Sequence, residues 1–127
     1  MNWDVVFHPE FESEYSDLNE EVQDLLIEEI MFILHDGPQA RRPRVDTLKG
    51  SKYSKMKELR FSGAGGEWRF AFAFDPERRA IMLCGGDKSH GAESRFYNKL
   101  IKIADERLKR WEEKTKNERL KKPGLTP

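Results

Sequence analysis

Apolar and polar positions between Lys55 and Cys84 follow a two-residue period, the mark of strands that bury one face. The stretch Glu67–Phe74 carries it most strictly, through Trp68-Arg69-Phe70-Ala71-Phe72-Ala73-Phe74, in residue types that favour extended backbone. It predicts the middle strand of an antiparallel meander. The strand before it is Lys55–Ser62, and the one after it is Ala80–Cys84, a continuous apolar run too short for a helix. Gly63-Ala64-Gly65-Gly66 turns the first pair, because glycine supplies the positive φ of hairpin loops. Asp75-Pro76-Glu77-Arg78 turns the second, with Pro76 preset for a turn corner.

Symmetric closure of the first hairpin fixes its register. Phe61 then faces Trp68 and Leu59 faces Phe70 on one side of the sheet, while Arg60 faces Arg69 and Glu58 faces Ala71 on the other. A slip of one residue would mix the faces, which a half-buried sheet resists. One face is thus aromatic core; the other is small, with Ala71 and Ala73, and carries two opposed guanidiniums. Like charges directly opposite one another need an anion between them. Either a bound phosphate fills that role, or a carboxylate does, from Glu58 or from another strand.

The flanks change period. Asn2–Phe7 reads as a short strand with Trp3, Val5 and Phe7 on one face. Pro9 opens a short helix marked by Phe11, Tyr15 and Leu18, and Asp17 or Asn19 caps a second one. That helix carries Val22, Leu25, Leu26, Ile30, Ile33 and Leu34 on one stripe and ends at Gly37-Pro38. The two form a helical hairpin able to cover the aromatic face. Gln39–Tyr53 has no apolar period and reads as a basic irregular connection, with Arg41-Arg42-Pro43-Arg44 and Lys49-Gly50-Ser51-Lys52 extending a positive surface beside the sheet. A last helix runs from Glu93 to about Trp111, with Phe96, Leu100, Ile103, Ala104, Leu108 and Trp111 on its apolar face. The class is α+β. Residues 1–111 form one domain, and Glu112–Pro127 is expected to be a frayed helix end followed by a flexible charged tail.

Composition sharpens this picture mainly through charge. The net charge is zero, yet the first forty residues hold 11 Asp and Glu and no Lys or Arg, whereas the rest holds all 23 bases against 12 acids. Such segregation predicts a basic working surface on the strands and C-terminal part, suited to nucleic acid, with an acidic helical flank behind it. The single cysteine, Cys84, is read as a small buried hydrophobe. A disulfide framework is thereby excluded and no metal or other cofactor is expected, which suits a reducing cytoplasm. No long apolar run points to a membrane. No internal repeat, phosphate loop or nearby serine–histidine–acid set offers a competing chemistry.

The order β-α-α-β-β-β-α, the Met56-Lys57-Glu58-Leu59-Arg60 strand, the Trp68-Arg69-Phe70 start of the next and the Gly86-Asp87-Lys88 exit resemble the RelE/HigB superfamily of type II toxins. The segments Arg42-Pro43-Arg44-Val45-Asp46 and Phe72-Ala73-Phe74-Asp75-Pro76-Glu77-Arg78 resemble its phage-derived Gp49-like, HigB-type branch. The similarity spans about residues 2–111. It implies a RelE-like, microbial-RNase-type fold and a ribosome-dependent, metal-independent mRNA interferase. It also implies a helix-turn-helix antitoxin, with operator DNA reached only through that partner. In such enzymes the RNA 2′-hydroxyl attacks the adjacent phosphate, so a base, phosphorane-stabilising cations and an acid are required. By resemblance, Arg69 is the phosphate-binding arginine and Arg60 the basic position closing the Glu-Leu-Arg element. Lys57, Lys88 and His90 are the further catalytic candidates. Lys55, Arg95, Tyr97 and Asp87 would contact substrate, Tyr97 by stacking on a base. His8 and His35 are set aside. Two rival functions share the fold or branch: a ParE-like toxin that poisons gyrase without nuclease activity, and a non-toxic phage accessory protein that binds nucleic acid.

Overall fold

The computed structural model describes residues 3–120, so the charged end from residue 121 onward lies outside the described residues. The elements are β1 (Asp4–Phe7), α1 (Pro9–Ser16), α2 (Glu20–Asp36), a 3-10 turn Gly37–Gln39, β2 (Val45–Thr47), β3 (Met56–Gly63), β4 (Gly66–Phe74), β5 (Arg79–Asp87) and α3 (Glu93–Leu120). The strands form one sheet in the order β1-β5-β4-β3-β2. The meander and its register are as the alternation predicts: Leu59 pairs with Phe70, Arg60 with Arg69, Phe61 with Trp68 and Glu58 with Ala71. Ala64 and Gly65 both take positive φ, 48° and 74°, as a two-residue hairpin loop of matching twist requires.

Two helical layers sandwich the sheet. Phe11, Val22, Leu26, Ile30 and Ile33 of α1 and α2 pack on Leu59, Phe70 and Phe72. On the opposite face Leu100, Ala104 and Leu108 of α3 pack on Met56, Ala71, Ala73, Ile81 and Leu83. The two alanines are therefore no open floor; their small side chains are buried beneath α3. Asn19 caps α2, its Oδ1 accepting from the Glu21 amide at 2.8 Å, while Asp17 closes α1. Cys84 is buried among these groups, and its loss of solvent pushes the thiol up to about 12.

Four features differ from the expectations. β1 runs parallel to β5, so the sheet is not wholly antiparallel. The connection 39–53 is not wholly irregular: β2 pairs Val45–Thr47 with Lys57–Leu59, a strand too short to show a period without its partner. And α3 continues past Trp111 to Leu120, because ion pairs from Lys55 to Glu112 and from Glu77 to Arg119 tie its later turns to the sheet and its second turn. The third strand also extends beyond Ala80–Cys84 to Arg79–Asp87, with a bulge at Leu83 opposite the step from Ala71 to Phe72.

Candidate functional site

Strand alternation places Glu58, Arg60 and Arg69 on the α3 face, and Tyr97 reaches them from the second turn of α3. Arg69 is buried and held on several sides. Its Nε donates to the Tyr97 hydroxyl at 3.2 Å, its Nη1 donates to the Trp68 carbonyl at 2.8 Å, and Glu58 lies 3.9 Å away. Tyr97 in turn donates to Glu58 Oε1 at 2.7 Å. Burial, followed by the Glu58 carboxylate that its proton serves, pushes the phenol up to about 12 against the opposing pull of Arg69. Tyr97 is thus a neutral relay between cation and carboxylate, a donor and never a base near neutral pH.

The opposed arginines are separated electrostatically by two carboxylates, Glu58 beside Arg69 and Asp46 of β2 at 3.8 Å from Arg60. The neutralisation is incomplete. Arg60 Nε is buried with no hydrogen-bond partner. Arg60 also lines two clefts. One, of about 340 Å³, is walled by Arg42, Arg44, Arg60 and Arg69, with Glu29 and Glu67 as its carboxylates. The other, also about 340 Å³, is formed by Asp46, Lys49, Glu58, Arg60 and Tyr97 with their neighbours. Of the two acids in the first, Glu29 is already bound to Arg44 at 2.8 Å and Glu67 to the Ser62 hydroxyl at 2.7 Å. Four guanidiniums converging on one cleft make an anion site.

The exit from β5 carries the remaining candidates. Asp87 accepts from the Glu67 amide at 3.0 Å and from the Ser89 amide and hydroxyl at 2.9 and 2.6 Å. Burial would raise its carboxyl, but the Ser89 donors, the Glu67 amide and the nearby His90 outweigh that and hold it below the usual range. His90 Nε2 lies 3.1 Å from Asp87 Oδ2 with its ring 82% exposed, so an anchored carboxylate orients an imidazole open to solvent. Lys88 binds Glu93 at 2.7 Å. The Lys88 hydrogen bond lowers the Glu93 carboxyl first, and the charges of Arg69 and Arg60 add to that. Arg95 is exposed on the first turn of α3.

Of the predicted residues, Arg60, Arg69 and Tyr97 belong to the cluster, Lys88 and His90 pair instead with Glu93 and Asp87, and two others lie away from it. Lys57 has the opposite parity from Glu58 and Arg60 and sits on the hairpin face, opposite Phe72. Lys55 lies five residues from Arg60, about 16 Å along an extended strand, and is ion-paired with Glu112. Conversely, Glu58 enters the cluster as more than a counter-charge, because it accepts the Tyr97 proton. Asp46 joins through β2, and Arg42 and Arg44 line the cleft from the basic connection. Alternation in the meander signals the place of Glu58; nothing local signals Asp46, whose position depends on pairing with β3. Among the described residues no group of acidic, histidine or cysteine side chains is arranged to hold a metal ion. No described helix is long and apolar enough to cross a membrane.

Residues 13–109 match the family described as phage-derived protein Gp49-like. The candidate toxin HigB3 of Mycobacterium tuberculosis is 40% identical over 107 residues, covering 84% of this chain and 91% of that one. A second candidate toxin of that organism, HigB2, is 43% identical over 90 residues, covering 70% of this chain and 44% of that longer one. Among solved structures, the free form of the E. coli toxin RelE bearing two arginine-to-alanine substitutions superposes with a TM-score of 0.51. It is 14% identical, with 78% of this chain and 97% of that one covered, which speaks for the fold alone. The chain therefore belongs to the Gp49-like family, among the HigB-type members of the RelE/HigB group.

Proposed function

We propose that this protein is the toxin of a type II toxin–antitoxin pair and acts as a ribosome-dependent mRNA interferase, cutting by attack of a 2′-hydroxyl on the adjacent phosphate. The observation that carries the reading is the cleft of four arginines, one of which, Arg69, is held in an Arg69–Tyr97–Glu58 relay. Arg69 and Arg60 bind the scissile phosphate and stabilise the charge that grows on its oxygens. Arg60 Nε, buried without an acceptor, is a donor already desolvated for such an oxygen. Tyr97 and Glu58 hold the Arg69 guanidinium in one orientation. His90 moves the proton, with Asp87 fixing its ring, and Lys88 and Arg95 guide the flanking backbone. The bond from phosphorus to the 5′-oxygen breaks, leaving a cyclic phosphate and a 5′-hydroxyl, and no metal takes part. Toxin names among 40–43% identical relatives support the toxin half of this reading and imply an antitoxin partner; the family's general habit suggests one with a helix-turn-helix. The setting is the cytoplasm, where ribosomes and mRNA are found.

The test is brief induction followed by mapping of mRNA 5′ ends, with and without a block to translation. Cuts confined to translated frames and lost on the block are expected. Intact mRNA accompanied by gyrase-linked DNA breaks would instead assign the protein to the ParE-like class.

A further inference from the structure

Among the described residues, the large apolar side chains left open to solvent are Ile27 (44%), Met31 (59%) and Phe32 (41%), and all three lie on α2. Ile27 and Met31 are four residues apart and so share one face, with Phe32 beside them. The opposite stripe of the same helix, Val22, Leu26, Ile30 and Ile33, is already buried in the core. A surface helix needs one apolar face, and α2 has two. The outer one is framed by Asp24, Glu28 and Asp36, all exposed, in a forty-residue stretch that contains no Lys or Arg. A cation reaches it from just before β2: Arg44 stacks on Phe32, 3.5 Å from the ring centroid, while paired with Glu29.

That combination selects an occupant. Nucleic acid is excluded by the acidic frame. A second copy is ill suited as well: two-fold pairing of this face would bring like charges together, and a head-to-tail contact with a basic region would not close. What fits is an amphipathic helix with two or three apolar anchors flanked by Lys and Arg. We infer that the outer face of α2, centred on Ile27, Met31 and Phe32, is the docking surface for a basic amphipathic helix of the antitoxin; this rests on the toxin reading above. Ile27 and Met31 lie outside the arginine cleft, but Arg44, which stacks on Phe32, and Glu29 of α2 line it, so the surface adjoins one wall of the cleft.

The experiment uses the full chain and, as probe, the antitoxin defined as the protein whose co-expression lifts its growth arrest. Ile27→Lys with Met31→Lys places charge against a basic partner, and Glu28→Lys alters the frame alone. Both variants are expected to fold and to arrest growth like the parent, since none of these residues touches the cleft. The double variant should bind the antitoxin at least about thirty-fold more weakly, the scale of a lost interface hot spot, and escape rescue. Glu28→Lys should weaken binding less and flatten its salt dependence. Undiminished affinity and rescue of the double variant would overturn the assignment. So would a parent chain that is dimeric in sedimentation and turns monomeric on Met31→Lys, which would give the face to a second copy. A parent chain that arrests no growth would remove the toxin reading, and with it the antitoxin as occupant; the parent's arrest assay separates this outcome from a misplaced surface.

Discussion

At Arg69 the guanidinium, the half-buried Tyr97 phenol and the Glu58 carboxylate form a short series in which Arg69 Nε donates to the phenol and the phenol donates to the carboxylate. Tyr97→Phe removes the middle member. Glu58 then loses its donor inside the protein, an expected loss of about 1–3 kcal/mol in stability, readable by urea unfolding, together with a lower cleavage rate as Arg69 loses its orientation. Because the phenol is held at about 12, ionisation of Tyr97 should leave no mark on the rate between pH 5 and 9. His90→Gln should cut the rate by about a hundredfold or more while ribosome affinity stays near that of the parent. Full single-turnover cleavage in His90→Gln would move the proton work to a carboxylate of the site such as Glu58, since Lys55 and Lys57 stand elsewhere. His8 adds a stability effect of known sign. Burial first of all lowers its pKa, and its neutral Nδ1 accepts from the Glu10 amide at the start of α1. Its contribution is complete above its ordinary value of about 6.5 and declines as pH falls through the lower folded value.

Within the elements, β5 shows how closely the layers are fitted. A Cβ on Gly85 would meet the Phe70 ring at 2.0 Å, so the ring lies directly over that backbone. Gly85→Ala must displace Phe70 from the aromatic face, where it also stacks on Phe61 at 5.8 Å. A stability loss of about 1–3 kcal/mol is expected, and an unchanged denaturation midpoint would show that the face tolerates the shift. The meander was legible because its information is local: alternation names the faces, and Gly63–Gly66 sets the register, so the Arg60–Arg69 opposition follows from sequence alone. β2 was not legible, since three residues carry no period and its order comes from pairing with β3. The end of α3 was missed for a related reason. Past Trp111 the apolar stripe gives way to charge, and the last turns are held by ion pairs to Lys55 and Glu77, which are distant in sequence.

Across the whole molecule, the acidic and basic halves of the chain fold into different places. The acidic hairpin α1–α2 covers one face of the sheet, and the arginine pair and Tyr97 lie on the other, with Glu29 of α2 reaching one wall of the arginine cleft. Composition foretold this polarity, resemblance pointed to Arg60, Arg69 and Tyr97, and the hairpin register offered Glu58 as a balancing carboxylate; Asp46 was the one not located. Where the halves meet, Arg107 of α3 binds Glu14 of α1 and donates to the Leu83 carbonyl at 2.7 Å, joining the helical layers around the sheet. The acidic hairpin should consequently face away from ribosomal RNA, and crosslinks from its exposed acids to that RNA would contradict such an orientation. The central claim, that the arginine cleft cuts mRNA on the ribosome, is tested most directly by single-turnover cleavage of mRNA on programmed ribosomes. Parent and Arg69→Gln proteins should be compared after their folds are matched by circular dichroism and thermal melting. The account predicts cleavage by the parent only when ribosomes are present, and a loss of at least about a hundredfold in Arg69→Gln, as for a missing charge-stabilising donor. A folded Arg69→Gln protein that cuts at the parent's rate, or a parent that leaves ribosome-bound mRNA intact, would contradict it.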